Sequence, residues 1–222
     1  MTNSTFHKKL FLQLESDLLS KFGRDRLEQT AFPAYFNKLS IASNLAWGRV
    51  FTARELLSET IGSVVLDFGS GLGVALPYLM DKYSQIVACD TDIEVTKYVA
   101  EKLGLEPIDF VKDIHEWNRP SFDTILALDV LEHVDDLSSV LQSLMAVTAD
   151  NGTWIVSGPT ENLLYRLARK IAGTSGEGHL RNVYTVFDAI QSDMKLERIR
   201  RLPYGIPLFL VGRFRNTGKE IT

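Results

Sequence analysis

The sequence predicts an α/β fold, a doubly wound and mostly parallel sheet of seven strands behind a helical N-terminal segment. Three observations predict it. Seven short apolar runs, at 64–68, 86–89, 108–111, 122–129, 153–157, 196–202 and 206–214, have the length and composition of strands. Segments of helical periodicity separate most of them, the alternation that builds strand–helix–strand units. The residues before 58 hold no such run; their apolar residues recur at three- and four-residue steps.

Residues 5–22 read as one amphipathic helix, with Phe6, Leu10, Leu14, Leu18 and Leu19 on one stripe and Gly23 as its stop. Residues 30–49 carry Phe32, Tyr35, Phe36 and Trp47, and helical periodicity resumes from Val50 to Leu57. Tyr35 and Trp47 either line a pocket or form the core of this segment; packing is the expectation, since buried aromatic rings mostly pack. The segment 1–58 is read as a helical cap on a core spanning 60–222, within one domain, with an insertion at about 159–185.

Val64 to Asp92, VVLDFGSGLGVALPYLMDKYSQIVACDTD, is the stretch that organises the chain. It reads as a buried strand, a glycine turn, a helix and a second strand ending at Asp90. Glycines at 69, 71 and 73 let a ligand approach the backbone, and Asp90 stands where a carboxylate can accept ribose hydroxyls. A dinucleotide fingerprint needs a glycine where Val74 stands, which disfavours a nicotinamide cofactor and an oxidoreductase.

The string Asp67-Phe68-Gly69-Ser70-Gly71-Leu72-Gly73, with Asp90 further on, resembles the first motif of class I S-adenosylmethionine-dependent methyltransferases. FDTILALDVLEHV, from Phe122 to Val134, resembles the fourth-strand motif of the branch that includes the ubiquinone and menaquinone methyltransferases. The resemblance covers Val64 to Gly158. It implies a Rossmann-like sheet whose last strand is antiparallel, S-adenosylmethionine as cofactor and S-adenosylhomocysteine as product. It implies cofactor contacts at Asp67, Gly69, Ser70 and Gly71, at Asp90 and Thr91, at Asp113 and Ile114 for the adenine, and at Asp129 and Val130 for the methionine part. The alternative for Asp113 is a simple turn or a helix N-cap. Glu132 and His133 would then lie near the sulfonium and the acceptor.

Methyl transfer from a sulfonium is an in-line displacement, so the enzyme's main task is alignment. An oxygen or nitrogen acceptor also needs a base. His133 and His179 are the candidates, because histidine titrates near neutrality; each could instead be structural. Other chemistries fail on position. No Pro-Pro-aromatic string follows the fourth strand, Asp150-Asn151 precedes the fifth strand rather than following it, and the Tyr-x-x-x-Lys spacings at Tyr78/Lys82 and Tyr98/Lys102 fall on early helices.

The net charge of −4 argues against a general nucleic-acid binder, and no metal site is expected from four His and one Cys. Cys89, without a partner for a disulfide, points to a reducing compartment, the cytoplasm. From Thr160 onward eleven Lys/Arg face six Asp/Glu. A helix over 162–172 gathers Arg166, Arg169 and Lys170, a face that could meet an anionic lipid or membrane surface or could simply be solvated. GPTENLLYRLARKIAG resembles uncharacterised methyltransferases of bacterial surface-polysaccharide or lipid pathways. The expected acceptor is a small molecule, a sugar, lipid or quinone-like compound, methylated on oxygen, nitrogen or carbon. The alternative is a cofactor-binding regulatory or partner subunit without turnover. The sequence sets no oligomeric state.

Overall fold

The computed structural model describes residues 3–37, 40–60, 62–117, 121–160, 181–203 and 207–218. Seven strands, β1 (Val64–Phe68), β2 (Gln85–Cys89), β3 (Asp109–Val111), β4 (Phe122–Leu128), β5 (Thr148–Pro159), β6 (Lys195–Leu202) and β7 (Phe209–Arg215), form one sheet. Their spatial order is β3-β2-β1-β4-β5-β7-β6. Neighbours from β3 to β5 are parallel, and β7 runs antiparallel to both β5 and β6. The reversed strand is the last in the chain, as the resemblance implies. From β1 the chain steps outward to β2 and β3, then returns to the other side of β1 as β4. Ligands of open α/β sheets bind at such a reversal, in the crevice beyond the strands' carboxyl ends.

Side-chain alternation along the strands feeds two cores. On one face Leu66, Ile125, Trp154 and Phe214 pack with α8 (Leu137–Ala146) and α9 (Val183–Ile190). On the other, Val65, Ile86, Leu126, Ile155 and Val211 meet α5 (Ser40–Leu57), α6 (Leu76–Met80) and α7 (Ile93–Leu103). The N-terminal helices α1 (Asn3–Leu12), α2 (Glu15–Phe22), α3 (Arg24–Glu28) and α4 (Phe32–Tyr35) belong to a third cluster. In it Phe11, Leu18, Leu27, Phe32, Tyr35 and Trp47 are buried with Leu72, Val74, Tyr78 and Val99. Tyr35 and Trp47 are therefore packed, edge to face with centroids 5.3 Å apart. The cap thus sits over the glycine turn and the helices that follow it.

Three expectations are corrected. The helix expected over 5–22 is two helices, broken at residues 13 and 14 by backbone bonds from Gln13 to Leu10 and from Leu14 to Phe11. No Gly, Pro or side-chain cap marks the break; the two pieces settle on burial of Phe11, Leu14 and Leu18 in the cap. The fifth strand is longer than the expected 153–157 because it begins at Thr148 and its pairing with β4 jumps from Phe122↔Thr148 to Thr124↔Thr153. Asp150-Asn151, expected before the fifth strand, lies with Gly152 within this bulge, with Asn151 at φ +59°. Strand β7 starts at Phe209 and not at 206. The helix expected at 162–172, the glycine loop after it and His179 lie outside the described residues. Among the described residues no helix is long and apolar enough to cross a membrane.

The bulge depends on one side chain. Thr148 Oγ1 donates to the Leu144 carbonyl at 2.7 Å and accepts from the buried Trp154 indole N–H at 2.9 Å. Thr148→Val keeps the shape and leaves that indole unsatisfied, so it should cost about 1–3 kcal/mol, read as a lower urea midpoint at unchanged m-value.

Candidate functional site

The crevice is built from strand tips. Beyond β1 the chain enters the glycine turn, which is tied to β2 by the Gly69 and Ser70 amides donating to the Cys89 carbonyl at 2.8 and 3.1 Å. Gly69 and Gly71 both have left-handed φ, +69° and +50°. Each also makes room for a neighbour. A Cβ on Gly69 would stand 2.3 Å from Val130 Cγ2, and one on Gly71 would stand 3.3 Å from the Thr30 carbonyl oxygen of the cap. Ser70 and Gly71 are braced by Thr96, whose hydroxyl lies 3.0 Å from Ser70 Oγ and donates to the Gly71 carbonyl at 2.7 Å.

Asp90, at the tip of β2, accepts the Gly71 amide on Oδ2 at 2.8 Å and the Asp92 amide on Oδ1 at 2.9 Å. Each oxygen keeps a second lone pair, so the carboxylate is fixed in place yet able to accept hydroxyl donors. Thr91 beside it is exposed. At the tip of β3, Asp113 caps a single 3-10 turn by accepting the His115 amide at 3.0 Å, while Ile114 is buried. Both readings of Asp113 are compatible with this, since its other oxygen is uncommitted by that cap.

Asp67 is buried next to this loop, and its Oδ2 has no hydrogen-bond partner. Burial, and secondarily the charge of Asp90, push its carboxyl up to about 7. An orphaned, half-protonated carboxyl in a crevice is suited to a cationic group.

Across the crevice, Asp129 follows β4 with φ +54°, a left-handed conformation that Asp tolerates at a cost. Its Oδ1 accepts Ser157 Oγ from β5 at 2.9 Å, and its Oδ2 lies 2.6 Å from Arg49 Nε of α5. Arg49 is only 6% exposed. Its guanidinium also lies 4.1 Å from the Phe209 ring centroid, and its charge acts on the nearby Tyr35 phenol. Val130 packs on Gly69, closing the gap between the two tips.

Next along the chain, Glu132 and His133 diverge. Glu132 is buried, with Oε2 3.5 Å from where a Cβ on Gly158 would stand. His133 is exposed, and its amide donates to the Val130 carbonyl at 3.0 Å. Arg181 holds this turn from outside by donating to the carbonyls of Val134 and Asp135. The structure therefore brings Asp67, Gly69, Ser70, Gly71, Asp90, Asp129 and Val130 around one crevice, with Thr91, Asp113 and Ile114 along its β2–β3 side.

Arg49, Tyr35 and Phe209 form a cluster that the motif reading did not contain. A signal existed for Arg49. Ala46, Val50, Ala53 and Leu57 make the buried stripe of α5, and a cation three residues after Ala46 falls on that stripe.

A family profile described as a methyltransferase domain matches residues 34–200. The chain belongs to this family. Among curated proteins, it is 33% identical over 113 residues to a ubiquinone biosynthesis O-methyltransferase of Rhodopseudomonas palustris (strain HaA2), covering 48% of this chain and 44% of that one. It is 26% identical over 125 residues to the mitochondrial ubiquinone biosynthesis O-methyltransferase of Schizosaccharomyces pombe, covering 53% and 44%. The chain spans less than half the length of these relatives. Among solved structures, the fold is shared with magnesium protoporphyrin IX methyltransferase from Synechocystis PCC 6803 with bound S-adenosylhomocysteine, at TM-score 0.63 and 16% identity, covering 93% of this chain and 99% of that one. It is shared too with N-methyltransferase NodS from Bradyrhizobium japonicum WM9 in complex with S-adenosylhomocysteine, at TM-score 0.60 and 17% identity, covering 94% and 99%.

The turn's geometry makes a direct prediction. Gly69→Ala combines a left-handed φ with a Cβ inside Val130, and should lose about 2–4 kcal/mol of unfolding free energy. Adding Val130→Ala should recover part of it, and Gly71→Ala, with only the Thr30 oxygen nearby, should cost less. Urea unfolding of the three variants against wild type checks the order.

Proposed function

We propose that this chain transfers a methyl group from S-adenosylmethionine to a small-molecule acceptor and releases S-adenosylhomocysteine. The observation that carries this is the chemical polarity of the crevice. One end offers Asp90, fixed by backbone amides, for a ribose. The other offers a buried Asp129–Arg49 pair, one sign each, for an amino-acid zwitterion. Asp67, Asp90 and Asp129 against Arg49 give the described crevice an excess of carboxylates. That suits a ligand with a sulfonium and an ammonium, and disfavours a pyrophosphate.

The residues fit the cofactor part by part. Gly69, Ser70 and Gly71 let the backbone approach it, Asp90 and Thr91 take the ribose, and Asp113 and Ile114 take the adenine. Asp67, Asp129, Val130 and Arg49 surround the methionine part, where Arg49 is available for the carboxylate and Asp67 for the ammonium. When bound, the cofactor supplies an electrophilic methyl already activated by positive charge. The chain's contribution is then to hold the acceptor in line and exclude water. For an acceptor that must lose a proton, His133 and His179 are the candidates, and Glu132, buried beside Gly158, joins them.

The acceptor class follows less directly. A quinone-like phenol methylated on oxygen is supported by the names of the sequence relatives, and an amine by one structural neighbour. Sugar and lipid acceptors remain from the reading of residues 158–173. Contact with anionic lipid through 162–172 and a cytoplasmic setting belong to the same proposal; liposome co-sedimentation that shows no salt-sensitive binding would remove the lipid contact.

Thermal shift tests the whole reading. S-adenosylmethionine and S-adenosylhomocysteine should raise the melting temperature and NAD should not; a shift with NAD alone overturns it. Asp90→Ala should abolish the shift.

Asp67 adds a pH dependence. Its carboxyl is raised in the folded chain, so by itself it favours folding at low pH, and that contribution is lost as pH rises from about 4 through about 7. A cationic ligand prefers the ionised form. Cofactor affinity should therefore rise about tenfold from pH 6 to pH 8 and level off, and Asp67→Asn should flatten the profile, as measured by calorimetry with S-adenosylhomocysteine. An unchanged slope in the variant would show that Asp67 is not the group.

A further inference from the structure

We propose that Thr96 of α7 is a positioning residue for the cofactor's ribose: its hydroxyl fixes Gly71 in the glycine turn, and the Gly71 amide fixes the Asp90 carboxylate. This rests on the methyltransferase reading and deepens it, because it gives a role in recognition to a helix residue outside the cofactor motifs.

Thr96 is the polar exception on its own helix. The rest of the buried face of α7 is Ile93, Val95, Val99 and Ala100. Thr96 is fully buried among them. A buried hydroxyl needs a partner, and a helical threonine can find one in the carbonyl four residues back. This one reaches across to the glycine turn and donates to the Gly71 carbonyl at 2.7 Å. A hydroxyl has one proton to give. In the 3.0 Å contact between Thr96 Oγ1 and Ser70 Oγ, Thr96 therefore accepts and Ser70 donates. The Ser70 hydroxyl is buried with its proton committed inward, so Ser70 offers a ligand its backbone and not its side chain. The Thr96 methyl faces Gly73, where a Cβ would stand 3.2 Å from it. One side chain thus meets the turn at Ser70, Gly71 and Gly73.

Gly71 is the point where this bracing reaches the ligand. Without a side chain, its φ of +50° is one of several conformations open to it. Two hydrogen bonds select that one. Its carbonyl takes the Thr96 hydroxyl, and its amide donates to Asp90 Oδ2 at 2.8 Å. The other Asp90 oxygen takes the Asp92 amide at 2.9 Å. Without the Thr96 hydroxyl, Gly71 can leave its conformation. Asp90 is then held through one oxygen, and the soft torsion of its carboxylate is released. The acid that takes the ribose is still present, but it is competent for only part of the time, and apparent affinity falls by that fraction.

The probes are S-adenosylhomocysteine and its 2′,3′-dideoxy analogue, which keeps the base and the amino-acid end and lacks the hydroxyls that Asp90 would take. Thr96→Val keeps the shape of the side chain and deletes the hydroxyl. By calorimetry it should weaken S-adenosylhomocysteine about tenfold, the size of one hydrogen bond, and the dideoxy analogue less than about twofold. Thr96→Ser keeps the hydroxyl and loses the methyl. It should unfold at lower urea and still bind S-adenosylhomocysteine within about twofold of wild type, so that affinity follows the hydroxyl and stability follows the methyl. If the valine variant does not fold, Thr96→Ala, a stronger helix former, gives the same comparison of ligands. Equal weakening of both ligands would mean that Thr96 only supports the turn, and a tenfold loss in the serine variant would mean that the hydroxyl is not the active part; either overturns the inference. Equal wild-type affinity for the two ligands overturns it as well, because Asp90 then takes no ribose, while the methyltransferase reading survives. If the wild-type chain binds neither ligand, it is the methyltransferase reading that fails, and the inference falls with it.

Discussion

The buried ion pair between Arg49 and Asp129 is the constraint on which the site's architecture turns. It joins the helical cap to the sheet at the point where strand order reverses. Bringing two charges out of water costs several kcal/mol per ion, and the pair recovers this only when both partners have further polar contacts. Asp129 also accepts Ser157 Oγ, and the Arg49 guanidinium also lies against the face of the Phe209 ring. The left-handed backbone of Asp129 is part of the same arrangement, since it turns the carboxylate back toward the cap immediately after β4. Loss of either charge would leave the other buried, so the pair ties the cap to the sheet at this end of the crevice.

The carboxylates around that pair give the site its negative character. Asp67 sits in the strand before the glycine turn and Asp90 at the tip of the next strand, close enough for each charge to work against the other. Backbone amides relieve Asp90 on both oxygens. Asp67 has no such relief on Oδ2, and burial first, then the charge of Asp90, raises its carboxyl. A glycine loop beside a helix is usually discussed as an anion site. Here α6 begins only at Leu76, with Gly71 to Ala75 in turns before it, and the carboxylates outweigh what dipole remains. Positive ligand charge is the natural complement.

Most of the fold was legible because most of it is decided locally or by burial on both faces. Parallel strands covered on both sides read as apolar runs, and the glycine stop at Gly23, which ends α2 at φ +75°, read directly. What was illegible depends on partners far along the chain. Ala149 to Gly152 has the composition of a turn and is locally a turn; only pairing with β4 makes it a bulge within one long strand. The break at Gln13–Leu14 has no local marker at all. In the site, the motif residues were readable as a set because the glycine turn and strand tips carry them. Arg49 was not, since nothing near it in sequence names Asp129 as its partner. Glu132 and His133 show the finest limit. Adjacent residues of one tight turn point opposite ways, and the sequence does not say which faces inward.

The cap's contacts, taken together, follow the crevice from end to end. Arg26 of α3 forms a two-pronged pair with Asp92, at 2.6 and 2.5 Å, two residues beyond Asp90. Thr30 lies over Gly71. Arg49 reaches Asp129. These three contacts stand beside Asp90, the glycine turn and the tip of β4 in turn. They differ in strength for a physical reason. The Arg26–Asp92 pair is largely in water, where such a pair contributes little net stability despite good geometry. The Arg49–Asp129 pair is shielded by Tyr35 and Phe209. The cap's shielded ion pair to the sheet is thus the one at Asp129 and its solvated one the one at Asp92, and salt screens the second far more than the first.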